Sequence, residues 1–198
     1  MIKKLFPTLI YEAKLANNTK SINKQLLKEI DMYSTSDTLG QKWSSKHYVG
    51  GYTSYSSLSK MHELSPTFQD LENSITKHVV KYLRGLNYKF DKKKLKMTTC
   101  WMNIMPKNTY HTMHIHPLSV VSGTYYVQVP KGASQLKIED TKMAFLMNAP
   151  QRAKDDYYYH FTPKEGELIL FESWVRHEVP PNQSNKERVS ISFNYELI

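Results

Sequence analysis

The sequence predicts a mainly β fold with flanking helices, and three observations predict it. Residues 97–105, 120–129, 135–140, 157–162, 167–172 and 187–195 are short runs rich in Thr, Val, Ile, Tyr and Phe. Turn formers punctuate them at Pro106, Pro117, Pro130, Gly132, Pro163, Gly166, Pro180 and Pro181. Helical periodicity is confined to the first half of the chain. Many short strands at such spacing suggest a double-sheet jelly roll, the cupin-like double-stranded β-helix, with the helices bracing its outside.

The elements of the first half follow from spacing and caps. In "NNTKSINKQLLKEIDMYS", Ile22, Leu26, Leu27 and Ile30 recur at helical spacing. The Ser-, Gly- and Tyr-rich stretch "QKWSSKHYVGGYTSYSSL" reads as irregular. A second helix starts where Ser65 offers an N-cap and Pro66 the first helical position. Phe68, Leu71, Ile75, Val79, Leu83 and Leu86 form its apolar stripe, and Gly85 lies near its end. No repeat or linker divides the chain. A single domain over 1–198 is expected, with 1–96 as a helical and irregular support region and 97–198 as the jelly-roll core.

Composition narrows the function classes. The chain has 198 residues, enough to bury a real core. No stretch approaches the ~20 apolar residues of a membrane span. In "MIKKLFPTLIYEAKL", Pro7 breaks the apolar run and Glu12 ends it without a small-residue cleavage site, so no secretory leader is expected. Cys100 is the single cysteine, which rules out an intramolecular disulfide and fits a reducing compartment. The net charge is +9, and much of it lies in "KYLRGLNYKFDKKKLK", residues 81–96. That charge is nearly all Lys rather than phosphate-forking Arg, and no aromatic-and-basic motif accompanies it. A solvated helix end is favoured there over a nucleic-acid surface.

The candidate chemistry lies in "HTMHIHPLSVVSGTYYVQV". His114 and His116, two residues apart on a strand, point to the same face and can converge on one ion. Neutral imidazole suits Fe, Zn, Cu and Ni. His111, three residues from His114, faces the other way on a regular strand and is expected outside the site. In "GELILFESWVRHEVPPN", His177 follows a strand that ends near Phe171. A jelly roll can bring His177 opposite His114, giving a facial set with open positions, the mark of a catalytic metal. Eleven residues later comes "RVSISFN". There Arg188, Ser190, Ser192 and Asn194 share one face, and Val189, Ile191 and Phe193 share the other. An Arg on that final strand is costly to bury unless it meets an anion. Its planar fork matches a carboxylate, and Ser190 adds a hydroxyl beside it.

These residues resemble those of the iron(II)- and 2-oxoglutarate-dependent oxygenases: His-x-His where the family commonly has His-x-Asp or His-x-Glu, a distal His, then Arg-x-Ser one strand later. The resemblance is closer to a branch of that superfamily found in marine bacteria and their phages. It rests on "LFPTLIY", "GGYTSYSSL", "HIHPLSVVSGTYYVQVP", "GELILFESWVRHEV" and "RVSISFN", in that order along nearly the whole chain. It implies Fe(II) as metal, 2-oxoglutarate as cosubstrate and O2 as oxidant. It implies His114 and His177 as metal ligands, and Arg188 assisted by Ser190 on the far carboxylate of 2-oxoglutarate. Asn103, eleven residues before His114, matches a cosubstrate-binding Asn of the nucleic-acid demethylases, though their companion Tyr is Met105 here. Tyr126 stands where prolyl-hydroxylase relatives place a Tyr hydroxyl on the same carboxylate. His116 is the departure, standing where a carboxylate is usual. An all-histidine set of His114, His116 and His177 is therefore expected, with Glu139 or Asp140 as the carboxylates that would otherwise substitute.

The reading implied is hydroxylation of an unidentified substrate, with succinate and CO2 as coproducts, in the cytoplasm of a bacterium or a phage-infected host cell. The positive charge tilts the substrate toward an anionic one. Trp101, Trp174 and the tyrosines of "YTSYSS" are candidate pocket walls. Two alternatives stay open: a cupin-like dioxygenase that does not use 2-oxoglutarate, and a non-catalytic jelly-roll binding or structural protein. A homodimer is compatible with the fold, and no membrane partner is expected.

Overall fold

A computed structural model describes residues 1–142, 150 and 157–198. Among them the elements run β1 (Tyr11–Lys14), α1 (Lys20–Ser36), α2 (Thr38–His47), β2 (Tyr52–Thr53), α3 (Met61–Leu64), α4 (Pro66–Gly85), β3 (Leu95–Met105), β4 (His111–His114), β5 (Val121–Gln128), β6 (Leu136–Glu139), β7 (Tyr158–Phe161), β8 (Glu167–Glu172), β9 (His177–Val179) and β10 (Arg188–Leu197). Two sheets result. One has the order β1-β8-β5-β10-β3-β2 and the other β4-β9-β6-β7. The pairings are antiparallel throughout.

The period-2 alternation of the long strands assigns each face. Val189, Ile191 and Phe193 of β10, Val121 and Tyr125 of β5, and Leu168 and Leu170 of β8 join the helices in the larger core. Their sequence neighbours Tyr126, Ile169 and Phe171 turn the other way. They pack with Ile138, Phe161 and Val179 of the smaller sheet. The space between the sheets is thus lined by the second set of side chains, Arg188 and Ser190 among them.

Helix α4 closes the outer face as its stripe predicts. Ser65 accepts from the Thr67 and Phe68 amides, and Phe68, Leu71, Ile75, Val79 and Leu83 are all buried. Each such side chain contributes about 1.5–3 kcal/mol of burial. Helix α1 is docked onto β5 by Asn23, whose amide donates to the Val127 carbonyl at 2.9 Å.

Two expectations change. Residues 41–47 are helical rather than irregular. Asp37 caps α2 by accepting from the Gly40 amide at 2.9 Å, and its other carboxylate oxygen accepts from Tyr52. A cap and tertiary ties here replace the apolar stripe that periodicity looks for. Strand β1 from the support region becomes an edge of the larger sheet, and β2 becomes the opposite edge. The lysines of residues 81–96 are all exposed, a solvated surface. No helix among the described residues is long and apolar enough to cross a membrane.

Candidate active site

Strands β4 and β9 pair so that His114 lies directly opposite His177. His116 sits two residues past His114, beyond the end of β4, and is held by its amide donating to the Ser173 carbonyl at 2.9 Å. It therefore reaches the site from an anchored extended segment rather than from the strand itself. One ligand nitrogen from each of His114, His116 and His177 falls within 4.8 Å of the others. The distal histidine is thus brought to the pair across some sixty residues of chain.

Tautomers follow from the partners. The Nδ1 of His114 lies 2.7 Å from the Thr112 carbonyl and that of His177 lies 2.9 Å from the Val175 carbonyl. A carbonyl only accepts, so each Nδ1 carries the hydrogen and each Nε2 lone pair faces the others. The Nε2 atoms of His116 and His177 are 3.2 Å apart. Two imidazoles bound at right angles on one ion at ~2.1 Å would be about 3.0 Å apart. Burial holds His114 and His177 below the usual histidine range and pushes His116 down to about 4, with the neighbouring imidazoles adding to the effect on His116 and His177. Neutral imidazole is the ligating form. Glu139, a candidate substitute ligand, is paired with Arg176 instead.

His111 departs from expectation. The β4–β9 register shifts between His111 and His114, and the bulge reverses the parity of the intervening residues. His111 therefore lines the same cavity as the triad. Its ring stacks on Tyr48 at 4.3 Å, and burial pushes it down to about 3, helped by His114 and Arg188.

Arg188 lines the inner cavity together with the three histidines, Asn103, Ser190 and Ser192. It is 2% exposed. Its Nη1 donates to the Met105 sulfur at 3.0 Å and to Ser190 Oγ at 3.3 Å, while Nε has no partner among the described residues. Among the described residues no carboxylate pairs with it. A buried guanidinium served by a thioether and one hydroxyl lacks the anion that its burial demands. Its Cζ lies 5.0 Å from the Tyr126 ring centroid. The Tyr126 hydroxyl is fully buried without a hydrogen-bond partner among the described residues, and burial pushes it up to about 12 against the pull of Arg188. The Asn103 side chain is largely committed: its carbonyl accepts from Thr53 at 2.9 Å and its amide donates to Ser192 at 3.1 Å.

Tyr48 was not foreseen from the sequence. It lies one residue past α2 and is 3% exposed, with a buried hydroxyl that has no partner among the described residues. Burial raises it while the nearby Arg188 charge opposes. Ser44 ties α2 to β2 through its contacts with the Thr53 backbone, and that tie sets Tyr48 against the cavity. The one sequence cue was an aromatic beside Gly50 and Gly51. A Cβ at Gly51 would meet the Tyr48 ring at 2.8 Å, so the glycine permits the close approach.

Outside the triad the cavity widens into a vestibule of about 290 Å³. Trp43, Tyr55 and Trp101 line it, whereas Trp174 does not, and the Tyr52 hydroxyl is spent on Asp37.

A neutral triad beside an unpaired buried cation and two orphaned hydroxyls suits a metal ion plus a small dianion. The comparisons agree with that pairing. Residues 99–194 match the family model described as "Putative 2OG-Fe(II) oxygenase". No curated protein matches the sequence. Among solved structures, a Pseudomonas putida prolyl-4-hydroxylase superposes with TM-score 0.61 at 15% identity, over 96% of this chain and 94% of that one. The viral collagen prolyl hydroxylase of Paramecium Bursaria Chlorella virus-1, a 2OG complex, gives 0.62 at 10% identity over 96% of each chain. HygX from Streptomyces hygroscopicus, with nickel and 2-oxoglutarate bound, gives 0.62 at 11% identity, over 95% of this chain and 82% of that one. At such identities the superpositions establish the double-stranded β-helix fold. The matched segment holds the three histidines, Arg188, Ser190 and Tyr126, whereas Trp43, Tyr48 and Tyr55 precede it, so it is the metal- and anion-facing part of the chain that is similar to the 2-oxoglutarate- and Fe(II)-dependent oxygenases.

Proposed function

We propose that this oxygenase hydroxylates its substrate with iron held by His114, His116 and His177, and that Arg188, Ser190, Tyr126 and Tyr48 bind the far carboxylate of 2-oxoglutarate. The observation that carries the reading is Arg188, a buried cation without an anion among the described residues, in the same cavity as three converging imidazoles. Bound Fe(II) with 2-oxoglutarate and O2 supplies the oxidant: one oxygen atom ends in succinate as CO2 leaves, the other in a new substrate hydroxyl.

The chain's own residues bind and orient. The carbonyls of Thr112 and Val175 fix the rings of His114 and His177 with Nε2 forward. Arg188 offers Nε and its fork to a carboxylate, and Ser190 keeps its hydroxyl hydrogen free while accepting from Nη1. The hydroxyls of Tyr126 and Tyr48 stay protonated and so act as donors. Phe171, in contact with His177 at 4.5 Å between ring centroids, excludes water behind the triad.

The test is thermal unfolding of the full chain with Mn(II), with 2-oxoglutarate, and with both. Stabilisation by 2-oxoglutarate that requires the metal and disappears in His177→Ala is expected. Fe(II), 2-oxoglutarate and O2 together are expected to release succinate, slowly without substrate. Metal binding without any response to 2-oxoglutarate would instead favour a dioxygenase that does not use it, and loss of both responses would favour a binding module.

A further inference from the structure

The vestibule outside the triad has a chemistry that the metal and cosubstrate do not use. Its walls are aromatic and come from three separate segments. Trp43 projects from α2 and Tyr55 from the turn after β2, with ring centroids 6.5 Å apart. Trp101 on β3 meets Tyr55 edge-on at 5.1 Å and reaches His116 at 5.8 Å. His47, one turn after Trp43, lies 4.7 Å from it. These rings form a continuous wall from the surface to the triad. Ile115 and Pro117 complete the lining from the segment that carries His116.

Charge selects among the compounds such a wall accepts. Aromatic faces attract cations and flat rings alike. No carboxylate is found among the described residues lining the vestibule or the inner cavity. The three ligating side chains are neutral. Under the reading above, the two charges of the metal and the one of Arg188 exceed the two of 2-oxoglutarate, leaving the loaded site one unit positive. A site with His-x-Asp in place of His-x-His would be neutral. The partial negative charge at the C-terminal end of α2 is offset by Lys46 in its last turn. The field at the vestibule floor thus opposes a cationic substrate and draws an anionic one.

We propose that the vestibule binds a small anionic aromatic compound as substrate, its ring laid against Trp43, Tyr55 and Trp101 and its acidic group drawn toward the positive site. This rests on the metal and cosubstrate assignment for the charge, but not for the ring wall.

The experiment is calorimetric titration of the full chain, alone and loaded with Mn(II) and 2-oxoglutarate, without turnover. Three probes of similar size are compared: 2-naphthoate, its saturated counterpart decalin-2-carboxylate, and (2-naphthylmethyl)trimethylammonium. 2-Naphthoate is expected to bind at least tenfold more tightly than either of the others to the loaded protein. Tyr55→Ala and Trp43→Ala are each expected to weaken it about tenfold, as stacking on one aromatic is worth ~1–3 kcal/mol, and Trp43→Phe is expected to restore most of the loss. Tyr55 is half exposed, so its truncation leaves the fold intact. Metal-dependent stabilisation by 2-oxoglutarate, retained in both alanine variants, reports that they fold. Preference for the ammonium probe, equal binding of the saturated acid, or indifference to both substitutions overturns the proposal. Ring-dependent binding of 2-naphthoate in a protein that shows no response to Mn(II) and 2-oxoglutarate would instead overturn the oxygenase assignment and leave the ring site standing.

Discussion

Replacing Arg188 by Met separates a ligand-binding cation from a structural one. Methionine has nearly the reach of arginine and fits beside Met105, but brings no charge. In the protein without ligand, the guanidinium is buried with two weak acceptors and an orphaned Nε. Removing such a charge is expected to leave stability unchanged or raise it by about 1–4 kcal/mol. The ligand response moves the other way. At a hundred times its dissociation constant, 2-oxoglutarate stabilises the metal-loaded protein by about 2.7 kcal/mol. For a chain of this length that is roughly 5–11 °C in Tm. Truncating one partner of a buried charge pair costs about 2–5 kcal/mol, a roughly 30- to 5,000-fold weaker affinity. At the same concentration the stabilisation then falls below about 0.9 kcal/mol, under about 4 °C. Thermal unfolding at fixed Mn(II), titrated with 2-oxoglutarate, reads both quantities. An Arg188→Met protein that keeps the full shift refutes the carboxylate role. One that loses several kcal/mol before any ligand is added shows instead that the guanidinium holds the fold together.

Three other outcomes are expected. Tyr48→Phe removes a hydroxyl without a partner, so the ligand-free protein should be as stable as wild type or slightly more so, while metal-dependent affinity for 2-oxoglutarate falls about 2- to 12-fold, the worth of one hydrogen bond; an unchanged affinity by titration would place the hydroxyl outside the cosubstrate site. Burial depresses His111 to about 3 and His116 to about 4, below their unfolded values near 6.5. The unfolded chain therefore takes up protons first as pH falls, so stability is nearly full above about 7.5 and is lost toward 4, by about 1.6 kcal/mol per such histidine between pH 6.5 and 5. Chemical denaturation in chelator should show that slope, and His111→Gln should make it shallower. In Gly123→Ala a Cβ would meet the Ile169 carbonyl oxygen at 2.6 Å and the Phe193 ring at 2.8 Å. Because the carbonyl belongs to the paired strand β8, it cannot yield, and a loss of about 1–3 kcal/mol in denaturant unfolding is expected.

How much the sequence revealed depended on whether a feature was local. The alternation of "RVSISFN" and the stripe after Ser65 are periodic, so strand, helix and buried face were readable from them. The candidate set His114, His116 and His177 was legible because the jelly-roll reading, and then the family resemblance, linked two distant segments; nothing in the local pattern pairs β4 with β9. His111 was misplaced by parity. A bulge is one extra residue in a register, and no residue in "HTMH" announces it. Helix α2 was missed because its stability comes from the Asp37 cap and from contacts with residues 52–57, which are tertiary. Missing α2 also hid Trp43 and Tyr48, and with them the part that the support region plays in the cavity.

The substitution at position 116 and the isolation of Arg188 have a common consequence. A carboxylate ligand would have offset part of the metal's charge, and an acidic partner would have offset that of the arginine. Among the described residues lining the cavity neither is present, so an ion bound by the histidines would share one small cavity with the guanidinium and meet nothing of opposite charge from the protein. Each would be disfavoured by the other until a dianion sat between them. Metal and 2-oxoglutarate should therefore bind with strong positive coupling, and by linkage the factor by which 2-oxoglutarate tightens the metal equals the factor by which the metal tightens 2-oxoglutarate. The two titrations, each run with and without the other ligand, must return the same ratio. Replacing His116 by Asp places one negative charge beside the ion, so the metal should be held better alone and the coupling should shrink. If the coupling survived that change in full, charge would not be what joins the two sites.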